Sequence, residues 1–114
     1  MLRVLVTGFE PFAGSSLNPS QLIVEALAAA HGDSEHIFAV LPVEYRLAGE
    51  RLGALLEQHK PHTVICIGQT EGRAFISIET RAQNLDDANL ADNSGEMRTG
   101  RDISPGGPSE LSTT

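Results

Sequence analysis

Three short runs of apolar and β-branched residues alternate with two segments of helical periodicity, and this alternation restricts the fold more than any other feature. The runs cover residues 3–7, 35–43 and 62–68, while the helical segments cover 19–31, with Gly32 just past the end, and 45–60. Continuous apolar runs of this length are typical of strands buried on both faces of a parallel sheet. The order β-α-β-α-β with short links therefore predicts an α/β fold with a largely parallel sheet.

Both helical segments carry start or stop signals. Asn18 is a favourable cap, Pro19 suits the first helical position, and Gln21 stands where a capping box has Glu or Gln. Lys60-Pro61 is predicted to end the second helix. The predicted apolar faces are Leu22, Ile23, Ala26, Leu27 and Ala30 in the first helix, and Ala48, Leu52, Leu55, Leu56 and His59 in the second.

The pattern changes after Gly72. Residues 75–79 alternate between apolar and polar side chains, which predicts a strand with Glu79 on its polar face. Residues 82–91 fit either a short strand or irregular structure. From residue 92 onward glycine and proline are frequent and apolar residues are few. We expect this tail to be loop, or to lack its packing partners.

Composition and charge exclude several classes of protein. The 114 residues contain no apolar run long enough for a membrane span, and the N-terminus does not resemble a signal peptide. The net charge of −7, with no basic stripe, argues against nucleic-acid binding. We therefore expect a soluble cytoplasmic protein without nucleic-acid or membrane partners.

Two loops leave the carboxyl ends of predicted strands, where parallel α/β sheets collect their ligands. Residues 8–12 follow the first strand and contribute Phe9 and Phe12, while residues 68–70 follow the third and contribute Gln69. Such loops are able to form a shallow apolar slot with one amide. The alternatives are that the two phenylalanines cover the sheet edge and that Gln69 satisfies a turn.

Other candidate residues have equally plain structural interpretations. Asn18 is first of all a helix cap. Glu79 is either an exposed strand carboxylate or the group that orients a histidine supplied from elsewhere. Cys66 is predicted to be a buried structural residue of the third strand.

A metal site is not indicated. The carboxylates of Asp86, Asp87 and Asp92 are compatible with a hard cation, but their spacing does not match a calcium loop, so a solvated loop is the better interpretation. None of the four histidines has metal-ligand spacing. We expect no metal and no cofactor.

Several stretches, in one order, resemble the type I pyroglutamyl peptidases, also called pyrrolidone-carboxylate peptidases. VLVTGFEPFAGSSLNPS is similar to the opening segment of that family, and LPVEY to the end of its second strand. GQTEGRAFISIETRAQN is similar to its glutamate signature, and DNSGE and ISPGGPSELSTT to the stretch that follows. The chain departs from the family at Ala13, which replaces a frequent glycine.

The resemblance implies a three-layer α/β/α fold and a cysteine peptidase that removes N-terminal pyroglutamate from peptides. By position, Glu79 matches the active-site glutamate of a Glu–Cys–His set. Phe9 and Phe12 match aromatic residues of the pyroglutamyl pocket, Gln69 matches a pocket amide, and Asn18 matches an asparagine beside that pocket.

The resemblance also implies that residues 1–114 are the N-terminal portion of a single peptidase domain, with 91–114 lacking packing partners. The family's nucleophilic cysteine and its histidine match nothing in this chain, so we expect the chain alone to be inactive and to form a homo-oligomer. Two alternatives stay open. One is a truncated, non-enzymatic homologue that acts as a binding or assembly subunit, and the other is an acidic metal-binding module built on residues 86–102.

Overall fold

The computed structural model describes residues 2–113, which divide into two compact units. The first contains the residues up to Gln69 together with Asp92–Glu96. The second contains Thr70–Ala91 and the residues from Met97 onward.

The first unit has the predicted β-α-β-α-β order. Its elements are strand β1 (Val4–Phe9), helix α1 (Pro19–Ala30), strand β2 (His36–Leu41), helix α2 (Tyr45–His59) and strand β3 (Thr63–Cys66). The three strands form a parallel sheet in the order β2-β1-β3, with Val4 opposite both His36 and Thr63. The predicted α/β fold with a parallel sheet is therefore confirmed.

The strand order of this sheet predicts where a ligand would bind. The chain crosses from β1 to β2 in one direction and from β2 to β3 in the other. Because such crossovers are right-handed, α1 and α2 lie on opposite faces. The order 2-1-3 has its topological switch point between β1 and β3, so ligands are expected at the carboxyl ends of these two strands.

Helix α1 begins as its sequence predicts, but it buries a different face. Asn18 is the N-cap and accepts a hydrogen bond from the Ser20 N–H at 3.0 Å, while Pro19 takes the first helical position. Gln21 donates to the Glu25 carboxylate instead of closing a capping box. The buried residues of the helix are Ser20 and Val24. The predicted face was wrong at four exposed positions: Leu22, Ile23, Ala26 and Ala30.

The reason for this shift is the close contact between α1 and β1. A Cβ atom added at Gly8 would lie 2.5 Å from the backbone oxygen of Ser20 and 3.0 Å from Cγ2 of Val24. The helix backbone therefore rests directly on Gly8, and the residues nearest that contact are buried whatever their polarity. Leu5, Val6, Val24 and Leu41 form the buried apolar core.

Strand β3 lies at the sheet edge and is not buried, contrary to the prediction. All four of its residues are exposed, including Cys66, which was expected to be a buried structural residue. Among residues 2–113, β1 is its only strand neighbour. Helix α2 begins and ends as expected, with Lys60 as its left-handed C-cap, but none of its residues is fully buried.

The second unit is built around one short antiparallel pair. Strand β4 (Arg81–Gln83) pairs with strand β5 (Glu110–Ser112), so the tail that was expected as loop contains a strand. Asp86 forms an isolated bridge with Arg101 and an ion pair with Arg98 at 3.1 Å. In this unit Phe75, Ile76, Ile78 and Leu111 are all exposed.

The strand predicted over residues 75–79 was wrong. No residue from 75 to 80 belongs to a strand, and the apolar residues of this segment are as exposed as its polar ones. An alternating sequence forms a strand only where a partner takes its backbone hydrogen bonds and one face is covered. Neither condition is met within the second unit.

Candidate functional site

The structure brings three of the predicted site residues to the carboxyl edge of the first unit's sheet. The Ile67 N–H donates to the Thr7 carbonyl oxygen at 2.8 Å, which extends the β1–β3 ladder to the loops. Phe9 lies two residues beyond Thr7, and Gln69 two residues beyond Ile67. Phe9, Phe12 and Gln69 are all half-buried, so each keeps part of its surface open to a ligand.

Residues 9–12, which we call the aromatic loop, are held at several backbone positions. The Phe9 N–H donates to the Ser20 hydroxyl at 2.8 Å, and the Glu10 N–H donates to the Leu41 carbonyl at 3.1 Å. The loop is therefore anchored to the start of α1 and to the end of β2. This anchoring fixes the backbone from which the two phenylalanine rings project.

Asn18 connects the aromatic loop to the helix and is itself inaccessible. Its Oδ1 accepts from both the N–H and the hydroxyl of Ser20, and its Nδ2 donates to the Glu10 carbonyl at 3.0 Å. Only 1% of Asn18 is exposed. The helix-cap interpretation is confirmed, and the same side chain also holds the aromatic loop through its hydrogen bond to the Glu10 carbonyl.

Gln69 has a side-chain amide that is free to bind. No side-chain hydrogen bond engages it anywhere in residues 2–113, and it is half-buried beside the end of β3. An amide offers one acceptor and two N–H donors. Gln69 therefore presents both hydrogen-bonding roles at the edge where the aromatic loop lies.

A third segment, not found by sequence reasoning, also supports the site. The Asp92–Glu96 clip belongs to the first unit although it follows much of the second in the chain. Asn93 Nδ2 donates to Glu10 Oε1 at 3.1 Å and to the Pro11 carbonyl at 2.9 Å. The Asn93 N–H donates to the Val43 carbonyl, and the Val43 N–H donates back to Glu10 Oε1 at 3.2 Å.

The clip is itself organised by one carboxylate. Asp92 accepts from the Ser94 hydroxyl and from the backbone N–H groups of Ser94 and Glu96, and its Oδ2 accepts from the Tyr45 N–H at 2.8 Å. The hydrogen bond from the Ser94 hydroxyl, aided by those from the backbone, lowers the pKa of Asp92 to about 2. The carboxylate is therefore ionised throughout the neutral range. The sequence DNSGE predicts a turn, but nothing in it indicates that this turn contacts the distant aromatic loop.

Glu79 belongs to the second unit, where it is accessible. Its side chain is 73% exposed, and its Oε1 accepts a hydrogen bond from Arg73 Nη1 at 3.2 Å. Its backbone oxygen accepts from the Thr113 hydroxyl at 2.7 Å, which ties residue 79 to the end of β5. An exposed carboxylate of this kind is available to a further partner.

The remaining acidic candidates act as acceptors for neighbouring groups. Asp86 pairs with Arg98, Asp87 accepts from the Gly100 N–H at 3.1 Å, and Asp92 organises the clip. Within residues 2–113, no three His, Cys, Asp or Glu side chains are grouped as metal ligands. Across the same residues, no helix has the length and apolar character needed to cross a bilayer.

Ala13, next to Phe12, has a backbone conformation that favours glycine. Its φ is 53°, in the left-handed region, where a Cβ atom is strained by about 1 kcal/mol. Ala13→Gly is therefore expected to raise the free energy of unfolding by up to about 1 kcal/mol, measured by urea denaturation. The control is Ala54→Gly inside α2, which should lower it by about 1 kcal/mol. A loss of stability in both variants would contradict the strain at Ala13.

Comparison with known proteins identifies the family of this chain. A family model described as "Pyroglutamyl peptidase" matches residues 2–114. The pyrrolidone-carboxylate peptidase of Gloeobacter violaceus is 40% identical over an alignment 114 positions long, which covers 99% of this chain and 56% of that protein. The relative from Pyrococcus furiosus is 41% identical and is matched over 55% of its length.

Solved structures agree with the sequence comparison. A crystal structure of a mutant pyrrolidone carboxyl peptidase from P. furiosus superposes with a TM-score of 0.92 at 41% identity, covering 99% of this chain and 55% of that one. Pyroglutamyl peptidase I from Bacillus amyloliquefaciens gives 0.89 at 38% identity, with 99% and 55% covered. The chain thus spans about half the length of the relatives it matches. It belongs to the pyroglutamyl peptidase family.

Proposed function

We propose that this chain supplies the pyroglutamyl-recognition part of a cysteine-type peptidase that removes N-terminal pyroglutamate from peptides. The observation that carries the proposal is the set of Phe9, Phe12 and the free amide of Gln69 at the β1–β3 switch point. Membership of the pyroglutamyl peptidase family supports the same substrate. A cytoplasmic location is part of the proposal, as expected from the sequence.

The chemistry of the substrate suits this set of side chains. Pyroglutamate is a small flat lactam with one ring N–H and one ring carbonyl. Two aromatic side chains provide apolar surface for the ring, while the amide of Gln69 provides an acceptor for the N–H or a donor for the carbonyl. Asn18 contributes indirectly, because its buried side chain fixes the backbone of the aromatic loop.

For the reaction we propose a cysteine and a histidine contributed by polypeptide outside residues 1–114. The thiolate attacks the pyroglutamyl carbonyl carbon, the C–N bond breaks, and the imidazolium gives its proton to the leaving amine. Water then hydrolyses the thioester, with the imidazole as base. Glu79 orients the imidazole, and its exposed carboxylate is accessible to a histidine from another segment.

The test combines this chain with the C-terminal half of the P. furiosus peptidase, the part that follows the matched 55%. We expect no hydrolysis of pyroglutamyl-aminomethylcoumarin by the chain alone, and turnover when the two polypeptides are combined.

Phe12→Ala should raise KM about tenfold or more, because the lost contact is apolar packing on the lactam. Leu17→Ala, an exposed position outside the aromatic loop, is the control. Equal KM values for wild type and Phe12→Ala would contradict the pocket.

The open edge of the sheet favours a second candidate, a non-enzymatic binding or assembly subunit. All four residues of β3 are exposed, and an unpaired strand edge recruits other chains. We therefore also propose that the chain forms a homo-oligomer on its own. In the same experiment, this alternative predicts association of the two polypeptides, detected by light scattering, without any turnover.

A further inference from the structure

The aromatic loop is held by residues that lie far away in the chain as well as by its own neighbours. Asn93 follows Glu10 by 83 residues, yet its Nδ2 contacts both the Glu10 carboxylate and the Pro11 carbonyl. These two acceptors stand between Phe9 and Phe12. The clip therefore binds the loop at the positions that set the directions of both rings.

Glu10 is the centre of this junction. Its Oε1 accepts from Asn93 Nδ2 at 3.1 Å and from the Val43 N–H at 3.2 Å, while its carbonyl accepts from Asn18. The Asn93 backbone is fixed in turn by its N–H bond to Val43. Two segments distant in sequence, at Val43 and Asn93, thus meet on the Glu10 side chain, and each contact is polar and directional.

The contacts of Asn93 do not belong to the core. Asn93 is exposed, whereas the buried apolar residues Leu5, Val6, Val24 and Leu41 belong to the sheet and α1. Removing the Asn93 amide therefore takes away restraints on the aromatic loop without opening a cavity. A change at this position should act on the geometry of the loop more than on global stability.

We propose that Asn93 is a positioning residue, which acts through Glu10 and Pro11 to fix the aromatic loop in its binding conformation. The consequence for substrate rests on the proposed function, since it assumes that Phe9 and Phe12 contact the lactam. Asn93 touches the loop backbone and the Glu10 side chain. It is therefore not a catalytic residue.

The experiment uses the 114-residue chain and two readouts. Hydrogen exchange of the amides in residues 9–15 reports the order of the loop, and NMR titration with 5-oxoprolinamide reports lactam affinity. Asn93→Ala should speed exchange in the loop and weaken lactam binding by about fivefold or more, the factor for one neutral hydrogen bond. Glu10→Ala should do the same, while Glu10→Gln, which keeps the accepting oxygen, should restore most of both.

The matched control is Asp33→Ala. Asp33 Oδ1 accepts from the Glu35 and His36 N–H groups in the loop that leads into β2, at the amino ends of the strands and so away from the aromatic loop. This variant also loses loop hydrogen bonds in the first unit, but it should leave exchange in residues 9–15 and lactam affinity unchanged.

The outcomes separate this inference from the proposed function. Unchanged exchange in Asn93→Ala would overturn the positioning role, and so would faster exchange with unchanged lactam affinity. The wild-type chain could bind no lactam while Asn93→Ala still speeds exchange in residues 9–15. In that case the proposed recognition of the lactam fails, and the role of Asn93 in holding the loop stands. Equal effects of Asn93→Ala and Asp33→Ala on both readouts would show a general loss of structure and overturn the inference.

Discussion

Glu79→Gln is expected to lower kcat by about 10²- to 10⁴-fold when this chain is combined with the C-terminal half of the P. furiosus peptidase. Glutamine keeps the size of the side chain but loses the charge that would stabilise an imidazolium. Because Glu79 is proposed to contact the histidine and not the substrate, KM should change by less than about twofold. Steady-state hydrolysis of pyroglutamyl-aminomethylcoumarin measures both constants.

Glu110→Gln is the matched control for this result. Glu110 is also an exposed carboxylate of the second unit that faces an arginine, with Arg81 Nη1 at 3.7 Å from Oε2. Removing its charge should leave kcat unchanged. If Glu79→Gln behaves like Glu110→Gln, then Glu79 is a surface carboxylate whose partner is Arg73 alone.

The second large effect is expected on stability, from Gly8→Ala. The new methyl group would lie 2.5 Å from the backbone oxygen of Ser20 and 2.8 Å from its carbonyl carbon. Backbone atoms of a helix cannot move aside as a side chain can, so α1 must shift away from β1. We expect the free energy of unfolding to fall by about 3 kcal/mol, which is large for a single added methyl group. Urea denaturation followed by circular dichroism measures the change.

A glycine in open space provides the comparison. Gly53 lies inside α2, and apart from its chain neighbours and the adjoining helix backbone no described atom lies within 4 Å of the Cβ that alanine would add. Gly53→Ala should therefore stabilise the chain by about 0.5–1 kcal/mol through the helix propensity of alanine. If Gly8→Ala also proved neutral or stabilising, the close packing of α1 on β1 would be contradicted.

Local signals in the sequence were sufficient for the positions of the elements of the first unit, but not for those of the second. The Asn18-Pro19 start of α1 and the Lys60-Pro61 end of α2 lie where capping and proline chemistry place them. These signals depend on bonds between near neighbours in the chain, so they need no knowledge of the tertiary fold. The carboxyl-edge position of Phe9 and Gln69 followed from the same element order.

Burial could not be predicted in the same way. Leu22 and Ile23 are apolar but exposed, while Ser20 is polar but buried, because the helix is oriented by its contact with Gly8. Hydrophobic periodicity reports which residues are able to be buried. It does not report whether a neighbouring element is present to bury them, as the exposed Ile76 and Ile78 also show.

The role of Asn93 was beyond sequence reasoning for a different reason. Its turn is visible in the letters DNSGE, but its hydrogen bonds reach Glu10 and Pro11, which lie more than eighty residues earlier. Polar contacts of this range have no periodicity and no fixed spacing. Only the tertiary fold brings the two segments together.

The central place of β1 has a consequence for biosynthesis. Its two neighbours, β2 and β3, both come later in the chain, and the clip that fixes the aromatic loop comes later still. As the polypeptide leaves the ribosome, β1 is able to pair with β2 once residues 36–41 have emerged, but its other side stays unpaired until residues 63–66 have emerged. The aromatic loop is thus among the first parts to be synthesised and among the last to receive all of its hydrogen bonds. Nascent chains that stop short of Asn93 should therefore form the sheet without the two hydrogen bonds that Asn93 gives to Glu10 and Pro11.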